Sequence, residues 1–181
     1  DCLLSRGLGD VYKRQAVQAT EYLCKLGHCK IGLLSGRFSP QVSEARIEGF
    51  VKTLAKYDIP VDDRFIADIE PALEDGEEIM TRMLREVDRP TAFFCTNDTI
   101  AAGAMKAVTR AGLRVPEDIA IIGFDDSYIS RVVEPELTTV RIDAAKMGCL
   151  AMQTLFDLIA GMPVEKAHIQ IPTELIVRGT A

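Results

Sequence analysis

Short, wholly apolar runs alternate with longer stretches of helical period along this chain, most clearly between Pro90 and Asp126. Thr91 to Thr96 is apolar, aromatic and β-branched and follows a proline, which predicts a strand buried on both faces. Ile100, Ala101, Ala104, Met105 and Val108 then recur at helical spacing. Asn97 or Asp98 can cap the start of that helix, and Gly112 stands where a left-handed C-terminal residue is wanted. Ile119 to Gly123 is a second continuous apolar run, bounded by Pro116 and by Asp125-Asp126, and predicts a strand parallel to the first.

The same alternation extends to both sides. Ala16 to Leu26 reads as a helix with Val17, Leu23 and Leu26 on one face and Gly27 as its stop, and Lys30 to Ser35 reads as the strand after it. Ser39 and Pro40 are an N-cap and a first-turn proline, with Ile47, Phe50, Val51 and Leu54 as the buried stripe of the helix they open. Arg64 to Asp68 predicts a strand, and Asp75 to Val87 a helix capped by Asp75, its methionine pair Met80 and Met83 in the core. Tyr128 to Val133 reads as an extended or short helical segment. Asp143 to Ala160 predicts a helix ended by Gly161-Met162-Pro163, with apolar residues on so much of its surface that it calls for cover on most sides. Ile169 to Pro172 with Glu174 to Val177 form a last strand.

Composition narrows the class. The chain has 181 residues, is 48% hydrophobic and 27% charged, and carries a formal net charge of -6. That balance suits an ordinary α/β domain and argues against DNA binding by this segment, since affinity for nucleic acid rests on Lys and Arg neutralising phosphate. No apolar run is long enough for a bilayer and no secretory signal is visible, which points to a cytoplasmic protein without a membrane partner. The five cysteines form no CxxC pair and read as free, mostly buried thiols, so neither a metal site nor a cofactor is implied. Residues 1–15 show no sustained period and resemble translated adaptor sequence, a non-native leader. Without them 18 basic and 25 acidic residues remain, a charge of -7, and the conclusion about DNA is unchanged.

Candidate chemistry follows from topology. In a strand, helix, strand unit the carboxyl ends of both strands open on one edge of the sheet, where ligands of open α/β sheets bind. Asn97 follows the first strand and Asp125 the second, so an amide and a carboxylate converge on one crevice. The same residues would equally serve as a helix cap and a turn. His28 reads as a turn residue that hydrogen-bonds locally, and two histidines in the whole chain leave a histidine-based catalytic site without support.

Four ordered motifs now carry a resemblance: PTAFFCTNDTIAAG from Pro90, AGLRVPEDIAIIGFDD from Ala111, PELTTV from Pro135 and TELIVR from Thr173. Together they resemble the effector-binding core of the LacI/GalR family of bacterial transcriptional regulators. The resemblance implies an α/β fold of the type I periplasmic binding protein kind, a Rossmann-like parallel sheet flanked by helices, with one subdomain complete and the other truncated. It divides the chain into residues 16–140 as the C-terminal ligand-binding subdomain, 141–163 as a helix of the truncated N-terminal subdomain, and 164–181 as a strand returning to the first. Pro135 to Arg141 would extend across to the other subdomain.

It also implies roles. Arg46, in Arg46-Ile47-Glu48-Gly49-Phe50, matches the family arginine that grips sugar hydroxyls, for which a planar fork of donors is suited; by spacing alone it would be a solvated helix arginine. Asn97 and Asp125 become effector ligands. Where many family members carry a stacking aromatic, this chain has Ile69, Glu70 and Pro71, so either the ligand is held with less stacking or Phe38 supplies the ring. The expected protein is a non-enzymatic regulator that binds a small-molecule effector, a sugar, in the cleft between subdomains and controls operator DNA through a missing helix-turn-helix, as a homodimer. The alternative is the sugar-binding protein of an ABC transporter. An enzyme would need Asp98, Asp125 and Asp126 to hold Mg²⁺, yet no phosphate loop or activated nucleophile is visible.

Overall fold

Two apolar runs predicted as buried strands lie side by side at the centre of a six-stranded sheet. The structure, a computed structural model, describes residues 16–162 and 171–181. Its strands are β1 (Ile31–Gly36), β2 (Ile66–Ile69), β3 (Ala92–Cys95), β4 (Ala120–Asp125), β5 (Thr138–Ile142) and β6 (Thr173–Ile176), and its helices are α1 (16–25), α2 (Pro40–Lys56), α3 (Leu73–Met83), α4 (Asp98–Arg110) and α5 (Ala144–Ile159). The order across the sheet is β2-β1-β3-β4-β5-β6, with the first five strands parallel and β6 antiparallel to β5. Strand order reverses between β1 and β3, and the loops after these two strands therefore diverge and leave a crevice.

Each central strand feeds a core on both faces. Leu34, Phe93, Cys95 and Ile121 join α3 and α4 on one side, while Leu33, Ala92, Phe94, Ala120 and Ile122 join α1 and α2 on the other. That is why these strands read as unbroken apolar runs instead of alternating ones. The helices α3 and α4 pack closely because each sets a glycine against the other's backbone: a Cβ at Gly76 would lie 2.5 Å from the Ile100 carbonyl oxygen, and one at Gly103 would collide with that of Leu73.

Several expectations change. The buried face of α1 is Ala16, Ala19, Thr20 and Leu23, whereas Leu26 lies past the helix end and is exposed. The helix expected from Asp75 begins at Leu73 after an Ala72 cap with no side-chain bond, so Asp75 is in its first turn. It also stops at Met83, which leaves Val87 fully exposed, while Met80 and Met83 are buried as expected. His28 bonds locally through its backbone amide, which donates to the Leu23 carbonyl at 3.2 Å, while its ring Nδ1 lies 2.8 Å from Thr91 Oγ1 and joins the turn after α1 to the residue before β3. Of the four cysteines among the described residues only Cys95 is buried, and Cys29 and Cys149 are exposed because each lies on an outward surface. The stretch expected to cross to another subdomain stays in this sheet through Ile142, paired with β4 and β6, and the chain leaves it only at Asp143. Pro163, His168, Ile169 and Gln170 lie outside the described residues.

The predicted helix at Asp143 is present and no residue of it is buried. Its Asp143 cap accepts a hydrogen bond from Lys146 N, while Met147, Met152, Leu155, Phe156, Leu158 and Ile159 are about half exposed or more. Full burial of such a side chain is worth roughly 1.5 to 3 kcal/mol, so a helix leaving six of them wet has a strong drive to associate. This chain expressed alone is expected to bind a hydrophobic dye and to sediment as more than a monomer, and Leu155→Lys with Phe156→Lys should reduce both. A monomer with no dye binding would mean that α5 is covered within the chain.

Candidate functional site

The loops at the carboxyl ends of β1, β3 and β4 gather the polar residues that the buried strands cannot hold. Phe38 lies just after β1 and is half exposed. Its ring comes under Gly36, where a Cβ would lie 2.7 Å from ring atom Cε2. Ser39 caps α2 through a hydrogen bond from Val42 N, with Pro40 at the first turn, which places Arg46 two turns into that helix against the sheet edge. Arg46 is only 5% exposed. It therefore departs from a solvated helix arginine: Nη1 donates to the Thr96 carbonyl at 3.2 Å, and the guanidinium lies 4.5 Å from the Phe124 ring centre and 5.4 Å from that of Phe38. Thr96 in turn accepts from Gly36 N through its hydroxyl at 2.8 Å, joining the ends of β1 and β3.

Asn97 caps α4, its carboxamide oxygen accepting from Ile100 N at 3.0 Å. That commits one of its two polar ends to the helix. Asp98, which could have been the cap, is the first helical residue and 1% exposed. Its carboxylate accepts from Thr139 Oγ1 and from Ser127 N, both at 2.6 Å. Room for it comes from Gly123, where a Cβ would collide with Oδ1 and lie 2.6 Å from Leu137. Burial is the main cause that raises the pKa of Asp98.

Asp125 and Asp126 end β4 with φ of 107° and 49°. They are neighbours with opposite electrostatics. Asp125 is exposed by area, yet the protein around it removes enough solvation to raise its pKa to about 6, with the Asp98 charge adding and the Arg46 charge opposing. Asp126 turns inward, where Arg178 Nη2 donates at 2.5 Å, Arg141 Nε at 2.7 Å and Arg131 Nη2 at 3.4 Å, with Ser130 Oγ 3.1 Å away. Burial alone would raise its pKa and is the largest single effect; the bonds from Arg178, Arg141 and Ser130 together outweigh it and bring the value down to about 2.

Phe38, Arg46 and Asp125 thus share one corner of the crevice, and Asn97 lies beside it on the end of β3. Beyond Asp125 the crevice continues as a cleft of about 760 Å³ toward the start of α5, lined by Arg131, Arg141, Lys146, Asp143 and Glu174 among others. Sequence reasoning gave Thr139 and Arg178 no role, and took Asp98 and Asp126 only as a cap, a turn residue or the Mg²⁺ holders of an enzyme. The signals were a carboxylate beside a cap, a doubled aspartate and a hydroxyl inside an apolar strand, each of which shows its partner only in three dimensions. Among the described residues no three His, Cys, Asp or Glu side chains could together hold a metal ion. No helix among them is long and apolar enough to cross a membrane.

Residues 20–181 match the periplasmic binding protein-like domain family. The chain is 38% identical over 160 residues to the HTH-type transcriptional repressor PurR of Mannheimia succiniciproducens, covering 88% of this chain and 48% of that protein. It spans about half the length of the curated relatives it matches. Among solved structures, a regulatory protein of the LacI family from Chloroflexus aggregans superposes with a TM-score of 0.88 at 31% identity, over 94% of this chain and 61% of that one. The transcriptional regulator CelR in complex with cellobiose superposes with a TM-score of 0.88 at 26% identity, over 94% and 52%.

The two aspartates set opposite pH dependences. Asp126 has a folded pKa near 2 against an ordinary 3.8, so it stabilises the fold above about pH 4 and loses that contribution, about 2 kcal/mol, as pH falls from about 4 toward 2. Asp125 is raised to about 6, so the folded chain takes up a proton that the unfolded chain does not, and its effect is to increase stability as pH falls from about 6 to 4. Denaturant unfolding at stepped pH should show the wild type's advantage over Asp126→Asn shrinking between about pH 4 and 2, and its disadvantage against Asp125→Asn disappearing between about pH 6 and 4. Flat difference curves over those windows would contradict the assignment.

Proposed function

This chain belongs to the periplasmic binding protein-like family, as an effector-binding domain of LacI/GalR type, and we propose that it binds a small carbohydrate in the crevice formed by Phe38, Arg46, Asn97 and Asp125. The observation that carries this reading is the seating of Arg46. Its guanidinium is held at the sheet edge by the Thr96 carbonyl and the Phe124 ring, next to a carboxylate and beneath a half-exposed ring. Adjacent sugar hydroxyls each need a donor and an acceptor at fixed spacing, which a guanidinium and a carboxylate supply together. The Phe38 ring can lie against the apolar face of a pyranose, taking the place of the aromatic that Ile69, Glu70 and Pro71 do not provide.

The cleft beyond Asp125 fits an uncharged ligand. Its charged lining residues are Asp125, Asp126, Asp143 and Glu174 against Arg131, Arg141 and Lys146, close to balance. A neutral polyol can bond to both signs without burying an unpaired charge. In the intact protein, ligand in this cleft would govern operator binding by a helix-turn-helix of the kind that the names of its relatives include, in the cytoplasm and as a homodimer. No catalytic step is assigned to it.

A thermal-shift screen of the intact protein against mono- and disaccharides, cellobiose included, identifies the ligand, since a compound that binds only the folded state raises its stability by mass action. Arg46→Ala and Asp125→Ala should each weaken binding of the best sugar by roughly 1.5 to 3 kcal/mol in calorimetry, the worth of hydrogen bonds to charged groups. Asn97→Ala should weaken it less, because the Asn97 oxygen is already occupied by the cap. Wild-type affinity in both charge variants, with the fold intact, would overturn the reading.

A further inference from the structure

The backbone after β4 is held in a conformation that its side chains resist. Asp125 and Asp126 have φ of 107° and 49° in succession, and neither is glycine. Left-handed backbone at consecutive L residues persists only where the surroundings over-determine it. Here one carboxylate anchors the loop from each side.

From the α4 side, Asp98 accepts from Ser127 N, so it grips the backbone two residues past Asp125, and its other oxygen accepts from Thr139 Oγ1 on β5. From the β5 side, both Asp126 oxygens are occupied by Arg178, Arg141, Arg131 and Ser130. Its side chain is 3% exposed and its two oxygens together meet four donors, so although Asp126 lines the cleft its carboxylate is already engaged. Thr139 joins the two anchors. Its hydroxyl donates to Asp98 and lies 3.4 Å from Asp126 N, placed to accept from it.

A role limited to holding the fold together does not account for this arrangement. Among the described residues the nearly fully buried Asp98 pairs with no cation, and a buried carboxylate served only by neutral donors is a poor device for stability alone. Gly123 is needed to make room for it. What the carboxylate does achieve is to fix a backbone amide beside Asp125 and to tie it to the strand on the far side.

We propose that Asp98, Asp126 and Thr139 are positioning residues of the effector site, which hold Asp125 in its left-handed conformation facing Arg46 and so set effector affinity without touching the effector. The proposal rests on the reading of Asp125 and Arg46 as effector ligands. Thr139 links the two anchors into one unit, so that the ends of β3 and β4 keep a fixed relation to each other.

Two readouts on the intact protein test it. One is the carbon-13 NMR titration of the Asp125 carboxyl group without ligand, and the other is calorimetry with cellobiose as the probe. In Asp126→Asn the midpoint should fall from about 6 toward the ordinary carboxylate range, with cellobiose affinity lowered at least about tenfold. Asp126→Asn leaves Arg131, Arg141 and Arg178 without their counter-charge, so the titration that reports movement of Asp125 and not an altered charge is that of Thr139→Val, which should shift the same way. Thr139→Val should likewise lower affinity about tenfold, and Thr139→Ser, which keeps the hydroxyl, should return it to within about threefold of wild type. If Asp126→Asn does not fold, the Thr139 pair decides the matter by both readouts. An unchanged Asp125 titration in Thr139→Val, or equal behaviour of Thr139→Val and Thr139→Ser, overturns the proposal. Should cellobiose bind neither wild type nor variant, the sugar reading fails for that probe, while the titrations still judge the positioning.

Discussion

A parallel strand covered on both faces can present polar chemistry only at its ends, and this constraint organises the chain. β3 and β4 are apolar along their buried length, so the polar side chains of these segments lie in the residues at or just past their ends, at Thr96, Asn97 and Asp98 and at Asp125 and Asp126. The reversal of strand order between β1 and β3 then opens a gap at the same edge, because successive connections run to opposite sides of the sheet. Arg46 enters that gap from α2, whose start is fixed by Ser39 and Pro40 just past β1. The polar side chains of β3 and β4 gather at this edge because the buried lengths of the two strands carry none.

Within the site, sequence neighbours are driven apart by their surroundings. Asp125 and Asp126 are chemically identical, yet one is raised to about 6 and the other lowered to about 2. The left-handed backbone at both residues turns their side chains to different environments, the first toward Asp98 and the open cleft, the second toward three arginines. A carboxylate with three cations and a hydroxyl is fully engaged and anchors structure. One left near another carboxylate, with a single arginine to oppose it, keeps capacity for a ligand.

What the sequence made legible follows from the range of each interaction. Strands β1 to β4, α2, α4, α5 and the cap at Ser39 depend on residues within a few positions of one another and were readable from period and cap chemistry, with Asn97 one of two candidates for the α4 cap, whereas β5 was expected to cross to another subdomain and not to stay in this sheet. Edges of elements were less so. Ala72 begins α3 without a side-chain cap, a start for which Asp75 looked the better signal, and Val87 fell outside because the helix ended four residues earlier. The interactions that reach across the sheet were illegible. His28 with Thr91, Asp98 with Thr139, and Asp126 with Arg178 span 63, 41 and 52 positions, and no local pattern indicates which of many polar residues will meet. Arg46 shows both sides: its motif suggested a cleft residue, while its near-complete burial between two rings could come only from the packing of α2 on the sheet end.

The helix α5 marks where this economy of burial stops. β5 is held tightly on both sides, by β4 and β6 as strands and by Arg141 bonded to Asp126, and Thr138, Thr139 and Val140 are fully buried. Two residues beyond Arg141 the chain becomes a helix with no buried residue, although its sequence is more apolar than that of α3 or α4. Propensity alone does not stabilise a helix of this length strongly in water, and the described residues leave its apolar surface uncovered. Because Arg141 stands directly before it and bonds the carboxylate next to Asp125, any displacement of α5 relative to the sheet would act first on the ion pairs of Asp126. The loop that carries Asp125 is thus joined, through the Arg141–Asp126 ion pair, to the place where the sheet gives way to its least buried helix.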